Sequence, residues 1–218
     1  MLSKRAHQSA TVIALCAVLG LALQFTVNRA ENPTALATVW SLLRYFTILT
    51  NLMVAIVFSR MASTGRTAAQ PVTAALALWI AIVGVVYWGL LDATIEPREG
   101  ADWLSNHMVH TVTPLTTVLW WIAFAEKERL TFRHAVMWLA WPLGYAIYGV
   151  GRGMIDGVYP YFFIDPNVLG WDGVAKWVVI LALSFGIAAA LQIGVARMLT
   201  RSAPLDRARS DPRDPQSR

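Results

Sequence analysis

Val39-Trp40-Ser41-Leu42-Leu43-Arg44-Tyr45-Phe46-Thr47-Ile48-Leu49-Thr50-Asn51-Leu52-Met53-Val54-Ala55-Ile56-Val57-Phe58 carries one charge, Arg44, in a run long enough to cross a bilayer. A helix rises about 1.5 Å per residue and needs about 20 mainly apolar residues to span the hydrocarbon core. Five further blocks read the same way, at 11–27, 72–91, 107–125, 135–150 and 174–196. Composition agrees: 56% of residues are hydrophobic, 14% are charged and the mean hydropathy is +0.50, far from soluble-domain averages. The pattern predicts an all-α, polytopic membrane protein, a bundle of six transmembrane helices over residues 1–199 with no separate soluble domain.

Lysine and arginine fall unevenly between these blocks. Thirteen lie at the N-terminus (Lys4, Arg5), in the second-to-third loop (Arg60, Arg66), in the fourth-to-fifth loop (Lys127, Arg129, Arg133) and after the sixth block. Only four, Arg29, Arg98, Arg152 and Lys176, lie on the alternate segments. The positive-inside rule therefore predicts that both termini are cytoplasmic. Because the basic residues sort by side rather than gather on one folded face, the net charge of +5 does not point to nucleic acid. The 200–218 stretch has little apolar surface to bury and is expected to be a disordered cytoplasmic tail. Lys4-Arg5 followed by the 11–27 block reads as a retained first helix rather than a cleaved signal, whose apolar region is usually about 7–15 residues. Cys16 is the only cysteine, so an intrachain disulfide and thiolate metal sites are excluded. No cofactor is expected, and nothing in the sequence fixes an oligomeric state.

Ionisable groups inside a membrane span mark candidate sites. Two runs carry them, Arg44-Tyr45-Phe46-Thr47-Ile48-Leu49-Thr50-Asn51 and Asn106-His107-Met108-Val109-His110-Thr111-Val112-Thr113-Pro114. With alternating helix directions both runs fall in the outer half of the bilayer. Arg44, Thr47 and Asn51 are spaced to share one helical face, as are His107 and His110. Pro114 has no amide hydrogen, so the carbonyl of His110, four residues back, is expected to lose its intrahelical partner. The fifth block ends near Tyr148 and Arg152, and the following outer segment carries Asp156, Tyr159 and Tyr161.

Arg44-Tyr45-Phe46-Thr47, the Asn106 to Pro114 run, and Val158-Tyr159-Pro160-Tyr161 preceded by Gly153 resemble three successive motifs of the androgen-induced integral membrane protein family. That family includes the androgen-dependent regulator of tissue factor pathway inhibitor and bacterial six-helix relatives. The resemblance implies a membrane-embedded threonine hydrolase of fatty-acid esters, with Thr47 as nucleophile and His110 as the catalytic histidine, in a bacterial cytoplasmic membrane. A threonine hydroxyl needs an adjacent base, and neutral imidazole serves. Arg44 and Arg152 are candidate anchors for a substrate carboxylate, and Asn51, His107, Tyr148 and Tyr159 are candidate supporting groups. Membrane lipids and an amphipathic ester are the expected partners. A transporter or lipid-binding protein without catalysis is the alternative, and Gly149, Gly153 and Gly157 are spaced for close helix packing. Haem ligation by His107, His110 and His134 is disfavoured, because His134 belongs to the opposite end of the span.

Overall fold

The computed structural model describes residues 1–94, 98–128 and 130–209, and among these there is no strand. Nine α-helices follow one another: α1 (Lys4–Arg29), α2 (Ala35–Leu42), α3 (Phe46–Thr64), α4 (Gln70–Val86), α5 (Gly100–His107), α6 (Thr113–Phe124), α7 (Phe132–Trp138), α8 (Ala140–Asp156) and α9 (Pro166–Arg209). A first π turn, Tyr87–Leu91, extends α4, and a second, Met108–Val112, joins α5 to α6. Among the described residues, four helices are long and apolar enough to cross a membrane: α1, α3, Gln70–Leu91 and α9 through Thr200. The stretch expected as a tail coincides with the end of α9 and, from 210, lies outside the described residues.

Small side chains let α1 approach its neighbours. Ala6, Ala10, Ala14, Ala17 and Gly20 recur at helical spacing on its buried face. In a membrane such stripes replace the hydrophobic driving force with close van der Waals packing. A β-carbon on Gly20 would come within 3.0 Å of Met108 Cβ, so the second π turn sits directly against α1. Ser3 starts α1 by accepting the Ala6 amide at 3.3 Å.

One end of the bundle is tied by main-chain carbonyls. Leu2 donates to the Gly65 carbonyl at 2.8 Å, the His7 ring to Ala62 at 2.6 Å, and the Trp120 indole to Ala6 at 3.0 Å. Gln192 of α9 donates to Ala74 at 2.9 Å, and Arg197 lies over the Phe132 ring. Leu2 and Arg197 therefore lie at the same end. Phe58, Met61, Trp120 and Trp138 fill the larger core there, while Tyr145, Phe163 and Ile164 form a smaller one at the opposite end.

Prolines explain why the fourth and fifth blocks are segmented. Pro142 cannot donate to the carbonyl four residues back, Trp138, and the Trp79 indole takes that carbonyl at 3.0 Å. Ahead of Pro114 the Thr113 amide bonds Met108 in π register, and the Val109 carbonyl instead accepts Asn51 Nδ2 at 3.0 Å. Lipid offers no water to a freed carbonyl, so a neighbouring helix supplies the donor.

The second block departs from expectation. It is not one helix over 39–58: α2 stops at Leu42, Tyr45 is extended (φ −91°, ψ 130°), and α3 begins at Phe46. Arg44 thus precedes α3 and does not share the helical face of Thr47 and Asn51. The reason is tertiary, because side chains from α8 take the carbonyls that the break exposes.

Candidate functional site

The interruption between α2 and α3 is held by three side chains of α8. Tyr145 donates to the Arg44 carbonyl at 2.7 Å, Tyr148 to that of Leu43 at 3.0 Å, and Arg152 Nη2 to that of Trp40. These are the carbonyls a helix end leaves without partners. The Arg152 guanidinium also stacks 3.9 Å from the Trp40 ring and donates to the Tyr148 hydroxyl at 3.0 Å. Asp156 accepts from Arg44 at 3.0 Å and from Arg152 at 3.3 Å. Two guanidiniums share one carboxylate, and the buried Nε of Arg44 has no partner.

The same break exposes the first turn of α3. Tyr45, its N-cap residue, provides no side-chain cap. The hydroxyl of Tyr161 instead lies beside the Thr47 side chain and faces the Phe46 and Thr47 backbone, with Tyr145 next to it. Tyr161 arrives there because the segment after α8 folds back. Gly157 ends α8 in a left-handed conformation (φ 73°), and the Tyr159 ring rests against Gly153, where a β-carbon would lie 2.2 Å from Cε1. Gly149 likewise accommodates Ile164. The three spaced glycines thus seat the returning segment.

Thr47 is buried on the wall of a cavity of about 70 Å³. Its other walls include Phe46, Tyr145, Tyr161, Phe163 and Phe185, so the surroundings are almost wholly aromatic and aliphatic. The Thr47 hydroxyl thus sits at the N-terminus of a helix, beside a tyrosine hydroxyl and on the wall of an apolar cavity.

His110 occupies the second π turn, and π turns recur at functional sites. Its Nδ1 bonds the Asn106 carbonyl at 3.0 Å; since a carbonyl only accepts, Nδ1 carries a proton and in the neutral ring Nε2 does not. The ring stacks on Tyr87 of the first π turn, with centroids 3.9 Å apart. The Tyr87 hydroxyl accepts Asn106 Nδ2 at 2.6 Å, which fixes the residue that holds His110. Gly84 allows this approach: a β-carbon there would stand 3.1 Å from the His110 carbonyl. His107 lies apart, stacked on Trp103 at 4.0 Å and edge-on to Trp88.

Asn51 connects the two halves of the site. Its Nδ2 donates to the Thr47 carbonyl at 2.9 Å and to Val109 at 3.0 Å, next to His110. Both amide hydrogens are therefore committed to the backbone. Among the described residues no hydrogen bond joins Thr47 to His110.

No family model, curated protein or solved structure matches this chain. The site rests on its geometry. The Asn51 carboxamide links the carbonyls of Thr47 and of Val109, the residue before His110. Arg44, Tyr148 and Arg152 form a separate clamp, and Tyr159 seats against α8 while Tyr161 meets Thr47. Tyr161, Tyr145 and Tyr87 are the participants that sequence reasoning left without roles. The only signal for Tyr161 was its place in the Val158 to Tyr161 motif.

Proposed function

We propose that the chain is a six-span protein of the cytoplasmic membrane, both termini inside, that hydrolyses lipid esters with Thr47 as nucleophile and His110 as base. The observation that carries the proposal is the Thr47 hydroxyl, buried in an apolar cavity at an N-terminus that no side chain of its own turn caps. Its oxygen attacks the ester carbonyl while its proton passes to Nε2 of His110. The alcohol leaves with that proton, and water then cleaves the threonyl ester to release the acid. The Tyr161 hydroxyl is placed to donate to the developing oxyanion. Substrate binding closes the distance between Thr47 and His110, as catalytic hydrogen bonds often tighten only in the complex. The excess guanidinium charge of Arg44 and Arg152 over Asp156 suits an ester with a free carboxylate. Location of Leu2 and Arg197 at one end, with the basic loops, supports an even number of crossings.

A lipid-binding protein without turnover is the second reading. It is favoured by the missing Thr47–His110 bond and by the use of both arginines on Asp156. Labelling of the purified protein with a serine/threonine-directed fluorophosphonate probe separates the two, alongside a panel of lipid esters. Hydrolysis and labelling that both vanish in Thr47→Ala and His110→Ala, and persist in part in Thr47→Ser, support the hydrolase. Unchanged hydrolysis in folded alanine variants, or none by the parent across the panel, leaves the binding reading.

A further inference from the structure

Beside the Thr47 cavity lies a larger one. A half-open groove of about 620 Å³ runs between α4 with its π turn, from Ala77 to Leu90, and α9, from Trp177 to Gln192. At about 1.5 Å per residue each wall is about 20 Å long, some two thirds of a hydrocarbon core of about 30 Å. Ala81 and Ala188 hollow its middle. The groove and the Thr47 cavity share four walls, Ile82, Val86, Leu181 and Phe185, so the two lie side by side.

The lining of the groove points to its occupant. Its polar groups are Ser184, Gln192 and the indole N–H groups of Trp121 and Trp177, among otherwise apolar walls. The Ser184 hydroxyl donates to the Ile180 carbonyl at 2.8 Å, and Gln192 Nε2 donates to Ala74 at 2.9 Å. The Ser184 proton is thus held within α9, while Gln192 Oε1 and the Trp121 Nε1–H are buried without hydrogen-bond partners among the described residues. A long, narrow surface lined almost wholly by aliphatic and aromatic side chains fits an unbranched hydrocarbon chain. The volume falls in the range of about 300–1,000 Å³ that encloses whole small ligands.

We propose that this groove holds the acyl chain of the ester whose carbonyl reacts at Thr47, with Phe185 and Leu181 as the gate between the cavities and Ala81 and Ala188 setting the chain length accepted. This rests on the reading of Thr47 as the nucleophile. The carbonyl sits in the small cavity, and the chain passes the gate to lie along α4 and α9. Phe185 packs edge-on against Phe46, adjacent to Thr47, with centroids 6.0 Å apart, so movement of the gate is sensed at the nucleophile.

The test uses the full-length protein in detergent with butyrate, octanoate and palmitate esters of one alcohol. Each methylene buried adds to transition-state binding, so Ala188→Phe or Ala81→Phe should lower palmitate hydrolysis relative to butyrate by about tenfold or more. Ala188→Leu, a milder filling, should give a smaller loss in the same direction. Phe185→Ala, which joins the cavities, should shift preference toward palmitate. A second readout needs no turnover: brominated palmitic acid should quench Trp177 saturably in Thr47→Ala protein, and Ala188→Phe or Ala188→Leu should weaken that quenching. If no ester is hydrolysed but the quenching behaves so, the groove stands and the hydrolase reading falls. If folded groove variants leave both chain-length preference and quenching unchanged, the groove proposal is overturned whatever the activity.

Discussion

Replacing Gly153 by alanine tests how Tyr161 is delivered to Thr47. The added β-carbon would lie 2.2 Å from Tyr159 Cε1, 2.3 Å from Cδ1 and 2.7 Å from Cζ. Nonbonded carbons settle at about 3.5–4.0 Å, so the ring must retreat by about 1.3–1.8 Å. Pro160 stiffly connects Tyr159 to Tyr161, and the retreat carries the Tyr161 hydroxyl away from Thr47. Two energies oppose each other. Alanine inside a helix is better than glycine by about 0.5–1 kcal/mol, whereas overpacking costs about 1–3 kcal/mol. The expected net loss is up to about 2 kcal/mol, which lowers the thermal midpoint by about 2–4 °C per kcal/mol in a chain of this size. Thermal unfolding of the purified protein measures it, and fluorophosphonate labelling of Thr47 should fall in parallel. In a Tyr159→Ser background the clash is gone, and Gly153→Ala should stabilise by about 0.5–1 kcal/mol. Equal stabilisation in both backgrounds would show that the ring does not rest on Gly153, and the account of how Tyr161 is seated would fail.

Arg152→Met should destabilise more than Arg44→Met in thermal unfolding, by at least about 1.5 kcal/mol, because Arg152 is almost wholly buried and also caps the Trp40 carbonyl; equal losses would deny it the capping contribution. Burial alone would raise the Asp156 carboxyl, yet the Val158 amide and the guanidiniums of Arg152 and Arg44 hold it below its ordinary value. Its contribution is therefore complete above about pH 4 and is lost as the pH falls through the lower folded value. Asp156→Asn should flatten that acid limb of the thermal midpoint against pH, and an unchanged limb would place its origin elsewhere. Gly84→Leu should destabilise by about 1–3 kcal/mol through the His110 carbonyl, whereas Gly151→Ala, with nothing near its β-carbon, should be neutral or stabilising; similar effects at both positions would remove the special approach at Gly84.

Helices α1, α3, α4 and α9 were legible because their apolar runs are long and nearly free of charge, and lipid leaves few alternatives for such runs. The break at Leu43 and Arg44 was not. The local sequence there is apolar and continuous, and the donors that make the break tolerable, Tyr145, Tyr148 and Arg152, lie more than a hundred residues away. The pairing of Arg44 with Asp156 was hidden for the same reason, since the two lie 112 residues apart, beyond any local pattern. Asn51 was named as a supporting group, but the Val109 carbonyl it serves is freed by Pro114 on another helix. Pairings of this kind require the fold.

The second π turn has a consequence for insertions and deletions. A π turn holds one residue more than the α-helical path it replaces, and each residue turns an α-helix by about 100°. Removing one residue from 108–112 would let the α register run unbroken from α5 into α6. Everything upstream would then swing by about 100°, carrying His107, Asn106 and the Gln24 partner Ser105 off their present directions while α6 kept its own. An indel at this point would rewire one end of the bundle without altering the apolar length of the segment, so hydropathy would not register the change.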